Sequence, residues 1–150
     1  MVDDVEAALR ASRTMLGIVA RSIAPALDQV SLPQFRVLVL LETGGPARIG
    51  VLAEQLGIVM STFSRSLDRL ESGGWVERRP STEDRREVTV SITQQGSTLV
   101  RDVSAHRSAD LAAALRRISV EDRAVLARAF MSFADAAGEP ALADMLVLGI

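Results

Sequence analysis

The chain has 150 residues, a net charge of −2 and no cysteine. That length supports one domain with a real core, and the absence of cysteine excludes disulfides, thiolate metal sites and thiol redox switches. Apolar residues make up 48% of the chain, yet no uninterrupted apolar run reaches the roughly 18 residues that cross a bilayer, and the acidic start MVDDVEAALR lacks the basic region and apolar core of a signal peptide, so the expectation is a cytoplasmic protein that does not engage membranes.

Residues 3–28 read as a long amphipathic helix that Asp3 or Asp4 can cap. Val5, Leu9, Leu16, Val19, Ile23 and Leu27 recur near the spacing of one helical face. At about 25 residues such a helix is roughly 37 Å long, more than a small globule covers. Pro25 predicts a kink or an early stop. The next helix begins at Ser31, which stands at capping-box spacing from Gln34, with Pro33 tolerated in the first turn. Phe35, Leu38 and Leu41 supply its buried face, and Thr43-Gly44-Gly45-Pro46 stops it. A short extended segment fits between Pro46 and the helix that follows.

That helix covers 48–56, with Ile49, Leu52, Ala53 and Leu56 inward and Gly57 in the left-handed position that closes it. A second helix follows over about 60–72, where Phe63, Leu67 and Leu70 form one buried stripe. At about 100° per residue, Ser61, Thr62, Arg65 and Arg69 fall on the opposite side, with Ser64 on the flank. Small hydroxyls and arginines suit a helix that must approach base edges and phosphates closely. Helix starts also favour Ser and Thr for capping alone.

Gly73-Gly74 ends that helix, and two strands follow: 75–79, with Trp75 or Val76 inward, and 87–92, with Val88, Val90 and Ile92 on one face. The polar connection 80–86 reads as an exposed hairpin tip carrying Arg85 and Arg86. Helix, turn, helix and basic hairpin make a plan for placing one helix in a DNA groove with an arginine beside it. Charge alone does not carry that reading, because residues 48–86 hold seven Arg against six acids while the rest holds ten against thirteen. Lysine is absent, so each cationic side chain other than His106 is an arginine capable of a planar two-pronged contact. Arg48 and Arg69 are candidates for phosphates.

Residues 94–117 return to helix on a spine of Leu99, Val103, Leu111 and Leu115. Ser119 caps a last helix, with Asp122 three residues on and able to reach back. Val125, Leu126, Ala129, Phe130 and Phe133 follow on that helix, and Gly138 and Pro140 end it. The tail ALADMLVLGI is apolar enough to be expected against a partner. His106, the single histidine, reads as a structural residue in mid-helix. One histidine and no cysteine argue against a metal site, and nothing pairs a nucleophile with a base, so neither cofactor nor enzyme activity is expected.

The segment Gly74-Trp75-Val76-Glu77-Arg78, then Asp84-Arg85-Arg86, then Thr93 and Gly96, resembles the wing of the MarR family of bacterial regulators, and LAEQLGI with the following S..SR.LDRLE resembles that family's helix-turn-helix. The resemblance covers nearly the whole chain, since the flanking helices have the family's order and lengths. It implies a mainly α fold with a small β-hairpin wing: a single domain, 1–150, with a winged helix-turn-helix lobe at about 31–93 and dimerisation helices at 3–28 and 94–150. It implies a homodimeric transcriptional regulator that grips a pseudo-palindromic duplex and acts as a repressor released by a small phenolic or lipophilic molecule. By the same resemblance Arg86 enters the minor groove, Asp84 holds it in position, and Ser64 and Arg65 contact DNA from the recognition helix; Arg85 beside them faces phosphate or solvent. The alternative from another class is a dimeric protein-interaction module that uses the winged helix without DNA. Against it stands the hydroxyl-and-arginine face at 61–69, where a protein-docking helix more often shows an apolar patch.

Overall fold

The computed structural model describes residues 2–80 and 87–138. Helix α1 (Val2–Leu27) is followed by α2 (Leu32–Gly44), a two-residue strand β1 (Ala47–Arg48), α3 (Ile49–Leu56), α4 (Met60–Ser72), the hairpin strands β2 (Val76–Pro80) and β3 (Val88–Ile92), α5 (Gln94–Leu115) and α6 (Val120–Ala137). The fold is mainly α with a small antiparallel sheet of order β1-β3-β2. The extended segment expected after Pro46 is β1, which places Ala47 opposite Val90 and Arg48 opposite Thr89.

Helix α2 forms the centre of the lobe. The predicted capping box is present: the Gln34 amide donates to Ser31 Oγ (3.4 Å) and the Ser31 amide to Gln34 Oε1 (2.9 Å). Phe35, Leu38 and Leu41 are buried as expected, but so are Val37, Val39 and Leu40. The helix is enclosed because α1, α3, α4, α5 and β3 all contact it. Pro25 does not break α1, which runs two residues further. So near the end little backbone pairing is lost, and the last turn is closed by the Gln29 and Val30 amides on the Ala26 carbonyl, both at 3.0 Å.

The hairpin is shifted by one residue from the sequence expectation. Val76 pairs with Ile92 and Pro80 with Val88. Val76 and Val90 are buried and Trp75 packs partly buried against the core, but Val88 is 39% exposed although it shares the face of Val90. It pairs with Pro80 at the outer end of the hairpin, past the reach of the helices, so alternation there no longer means burial. At the inner end Thr93 fastens the sheet to α5. Its hydroxyl donates to the Gly74 carbonyl (2.6 Å) and accepts from the Gly96 amide (3.2 Å), and its own amide donates to the Trp75 carbonyl (3.1 Å). Gly96 is buried so tightly that a Cβ there would meet the Trp75 carbonyl oxygen and lie 2.7 Å from Ile92 Cγ1.

The outer helices are less complete. In α1 only Ile18, Ser22, Ile23 and Ala26 are buried, while Val5, Leu9 and Leu16 are exposed. The predicted spine of α5 divides: Leu99, Val100 and Val103 enter the core, whereas Leu111 and Leu115 lie in the open. Where α5 meets α1, Arg107 Nε donates to the buried Ser22 hydroxyl (3.3 Å), and burial holds the guanidinium below the ordinary arginine pKa. His106 is exposed, which corrects its reading as a structural histidine; it lies on the solvent side of α5. Ser119 caps α6 by accepting from the Asp122 amide (3.0 Å), but its hydroxyl, not its amide, bonds the Asp122 carboxylate (2.9 Å). No side chain of α6 is buried. The tail, residues 141–150, lies outside the described residues.

Gly96→Ala is expected to destabilise the protein by about 1–3 kcal/mol, because backbone and a β-branched side chain must both move. Urea unfolding at fixed protein concentration checks this.

Candidate nucleic-acid interface

The turn between α3 and α4 is set by Gly57 in the left-handed region (φ 64°). The Ile58 amide reaches back to the Ala53 carbonyl (2.9 Å) and the Gly57 amide to Glu54 (3.0 Å), which closes α3 and aims the chain into α4. Phe63, Leu67 and Leu70 are fully buried, as their spacing predicted. Their burial turns Ser61, Thr62, Arg65 and Arg69 out to solvent, with Ser64 half-buried on the flank. The two hydroxyl residues are not caps. Val59 occupies the cap position and makes no side-chain cap bond, so capping does not account for Ser61 or Thr62. Arg65 Nε donates to the Ser61 carbonyl (3.4 Å), a long bond that uses one of its five N–H donors.

Two acids also lie on α4, Asp68 and Glu71, and both would repel a phosphate backbone. Arg78 of β2 answers them. Its Nη1 sits 2.7 Å from Asp68 and 3.4 Å from Glu71, and its Nη2 donates to the Ser64 carbonyl (3.3 Å). The Arg78 amide also donates to Glu71 (3.3 Å). One arginine thus pairs with both of the helix's carboxylates, offsets one of their two charges and pins β2 to the helix. Sequence reasoning gave Arg78 no role beyond the wing motif, because the acids it joins lie seven and ten residues back on another element. Arg79 pairs with Glu77 on the same strand (3.0 Å).

Arg48 stands apart from the α4 group. It is the last residue of β1, at the start of α3, and its Nε is 2.7 Å from the Glu87 carboxylate. That engagement weakens its reading as a phosphate contact. Asp84, Arg85 and Arg86, assigned to the wing tip by the family resemblance, lie outside the described residues. Among the described residues there is no cluster of three or more His, Asp or Glu able to hold a metal ion, and no helix is long and apolar enough to cross a membrane.

A turn-linked helix pair followed by a sheet that braces its second helix defines a winged helix-turn-helix fold. The sequence pattern of the MarR family matches residues 30–88. The transcriptional repressor MdtR of Bacillus subtilis is 30% identical over 108 residues, covering 72% of this chain and 70% of MdtR. The crystal structure of RV1404 from Mycobacterium tuberculosis shares 36% identity with a TM-score of 0.79, covering 93% of this chain and 96% of that one. A mutant MarR from Escherichia coli, solved with operator DNA, has the same fold at 24% identity and a TM-score of 0.55, covering 85% of this chain and 91% of that one. The chain belongs to the MarR family. It spans 57% and 59% of the length of two other curated relatives that it matches.

Arg78→Met is expected to cost on the order of 1–2 kcal/mol, since exposed carboxylates lose less than buried ones when their partner goes. Chemical denaturation measures the loss. Faster amide exchange along β2 and the end of α4, with α5 unchanged, would locate it.

Proposed function

We propose that this protein is a cytoplasmic homodimeric transcriptional repressor that binds a pseudo-palindromic operator through α4 and the wing and is released by a small phenolic or lipophilic effector. The observation that carries the DNA reading is the outward face of α4: Ser61, Thr62, Arg65 and Arg69 stand exposed opposite a fully buried apolar stripe, while Arg78 pairs with the helix's two acids. Hydroxyls and arginines are the side chains that bond phosphates and guanine edges. Arg86 supplies the minor-groove contact, with Asp84 steadying it and Arg85 on phosphate. Two such helices related by a dyad must sit about 34 Å apart to enter successive major grooves. An effector that binds better to a different separation shifts the population away from DNA.

Dimerisation is supported by the apolar surface that one copy leaves open. Leu16, Leu111, Leu115 and Phe130 are exposed, Phe133 is 65% exposed, and α1, α5 and α6 enclose an apolar groove of about 730 Å³. Contiguous exposed apolar side chains of this kind mark an interaction surface. A second copy covers it.

The direct test is a binding titration against duplexes from the DNA upstream of its own gene. Affinity should fall log-linearly with salt, with a slope near −0.9 for each phosphate neutralised. Arg65→Ala and Arg86→Ala should each lose about 1–3 kcal/mol of operator affinity while the fold persists; affinity that ignores both salt and these changes refutes the assignment. For the dimer, Phe133→Glu should give a monomer by analytical ultracentrifugation, because a carboxylate cannot be buried unpaired in an apolar contact.

A further inference from the structure

Val59 is the least explicable residue on the α4 side of the protein. It holds the cap position of that helix, where Ser, Thr, Asp or Asn would satisfy a free amide, and it makes no cap bond. The turn before it alternates: Ile58 packs against the core, and Val59 is left 73% exposed. Its backbone is fixed, since its carbonyl accepts from the Thr62 and Phe63 amides, both at 3.0 Å. Met60 beside it is 46% exposed, and its methyl end lies 3.8 Å from where a Cβ on Gly50 would sit, so it leans back over α3. Stability therefore favours neither an apolar cap residue nor its exposure.

Val59 stands at the start of α4, and the exposed residues of the helix's first two turns that follow it include Ser61, Thr62 and Arg65; it is at this end that a recognition helix meets base edges. An apolar side chain among groups that bond base edges and phosphates has one apolar counterpart in a major groove, the C5 methyl of thymine. We propose that Val59 reads a thymine in each half-site by packing its isopropyl group on that methyl, and so sets part of the operator sequence. This rests on the DNA-binding reading given above and adds to it a base identity and the residue that selects it. A valine has no hydrogen-bonding group to offer a base, so the contact discriminates by the methyl alone.

Uracil differs from thymine in a duplex only by that methyl, so replacing thymines one at a time isolates the contact. The full chain is first used to select binding duplexes from a random pool, and each thymine of the winner is then changed to uracil. At one thymine per half-site the wild-type protein should lose about fourfold in affinity, the worth of one buried methyl. Val59→Ala should bind the thymine duplex about as weakly as the wild type binds a duplex with that thymine replaced in both half-sites, and should not sense either replacement. Val59→Ser, which restores a cap, should raise the melting temperature while losing the same discrimination. A purely structural role for Val59 would not couple to one methyl of the DNA. If duplexes are selected but no thymine responds differently in wild type and variants, the Val59 assignment is overturned and DNA binding stands. If no duplex is enriched, or an apolar protein partner competes at Val59 instead, the DNA reading falls with it.

Discussion

The constraint on which the interface depends is the rotation of α4 about its own axis. Phe63, Leu67 and Leu70 are each fully buried on one side of it. At about 1.5–3 kcal/mol for each apolar side chain buried, roughly 5–9 kcal/mol opposes turning the helix. That margin is far larger than any single polar contact on the opposite side, so the core, not the polar residues, decides which way Ser61, Thr62, Arg65 and Arg69 face. The lobe's other devices serve the same orientation. The left-handed Gly57 and the Ile58 amide fix where the helix begins, and Arg78 holds its far end against β2.

Most of this was legible in the sequence because it is periodic. The stripe in α4, the capping box at Ser31, the closing Gly57 and the hairpin strands are each written within a few adjacent residues, and each is found within a residue or so of its expected place. What was not legible depends on neighbours distant in sequence. The full enclosure of α2 comes from five surrounding elements, so a helix expected to bury three residues buries six. Val88 follows its strand's alternation but lies beyond the core, and His106 occupies a helix position that nothing covers. Arg78 joins acids seven and ten residues away, and no local pattern distinguishes a bridging arginine from a solvated one. The pairing of Arg48, read from sequence as a phosphate candidate, with Glu87 is likewise made between residues far apart in the chain.

The same locality explains the divided spine of α5. Leu99 and Leu111 look alike in a periodic pattern, yet one is buried and the other open, because burial depends on neighbours that the pattern does not contain. Helix α6 takes this further: it has a cap, an apolar sequence and no buried side chain. Isolated helices of this length are marginal in water, so α6 needs apolar cover from elsewhere. If a second copy provides it, folding of the outer helices and association are one equilibrium, and only the lobe around α2 is stable independently of concentration.

Those two parts meet through α5, which packs on α2 and β3 and donates from Ser97 Oγ to the Glu42 carboxylate (2.9 Å). The Thr93 hydroxyl ties α5 to the end of the β2–β3 hairpin, and Gly96 allows their backbones to touch. Arg78 then ties the hairpin to α4. These contacts join α5, the hairpin and α4 into one continuously packed unit. If two copies pack along α1, α5 and α6, as proposed above, a change in that packing reaches α4 through α5 and the sheet, and the separation of the two α4 helices is set far from the face that carries Ser61, Thr62 and Arg65.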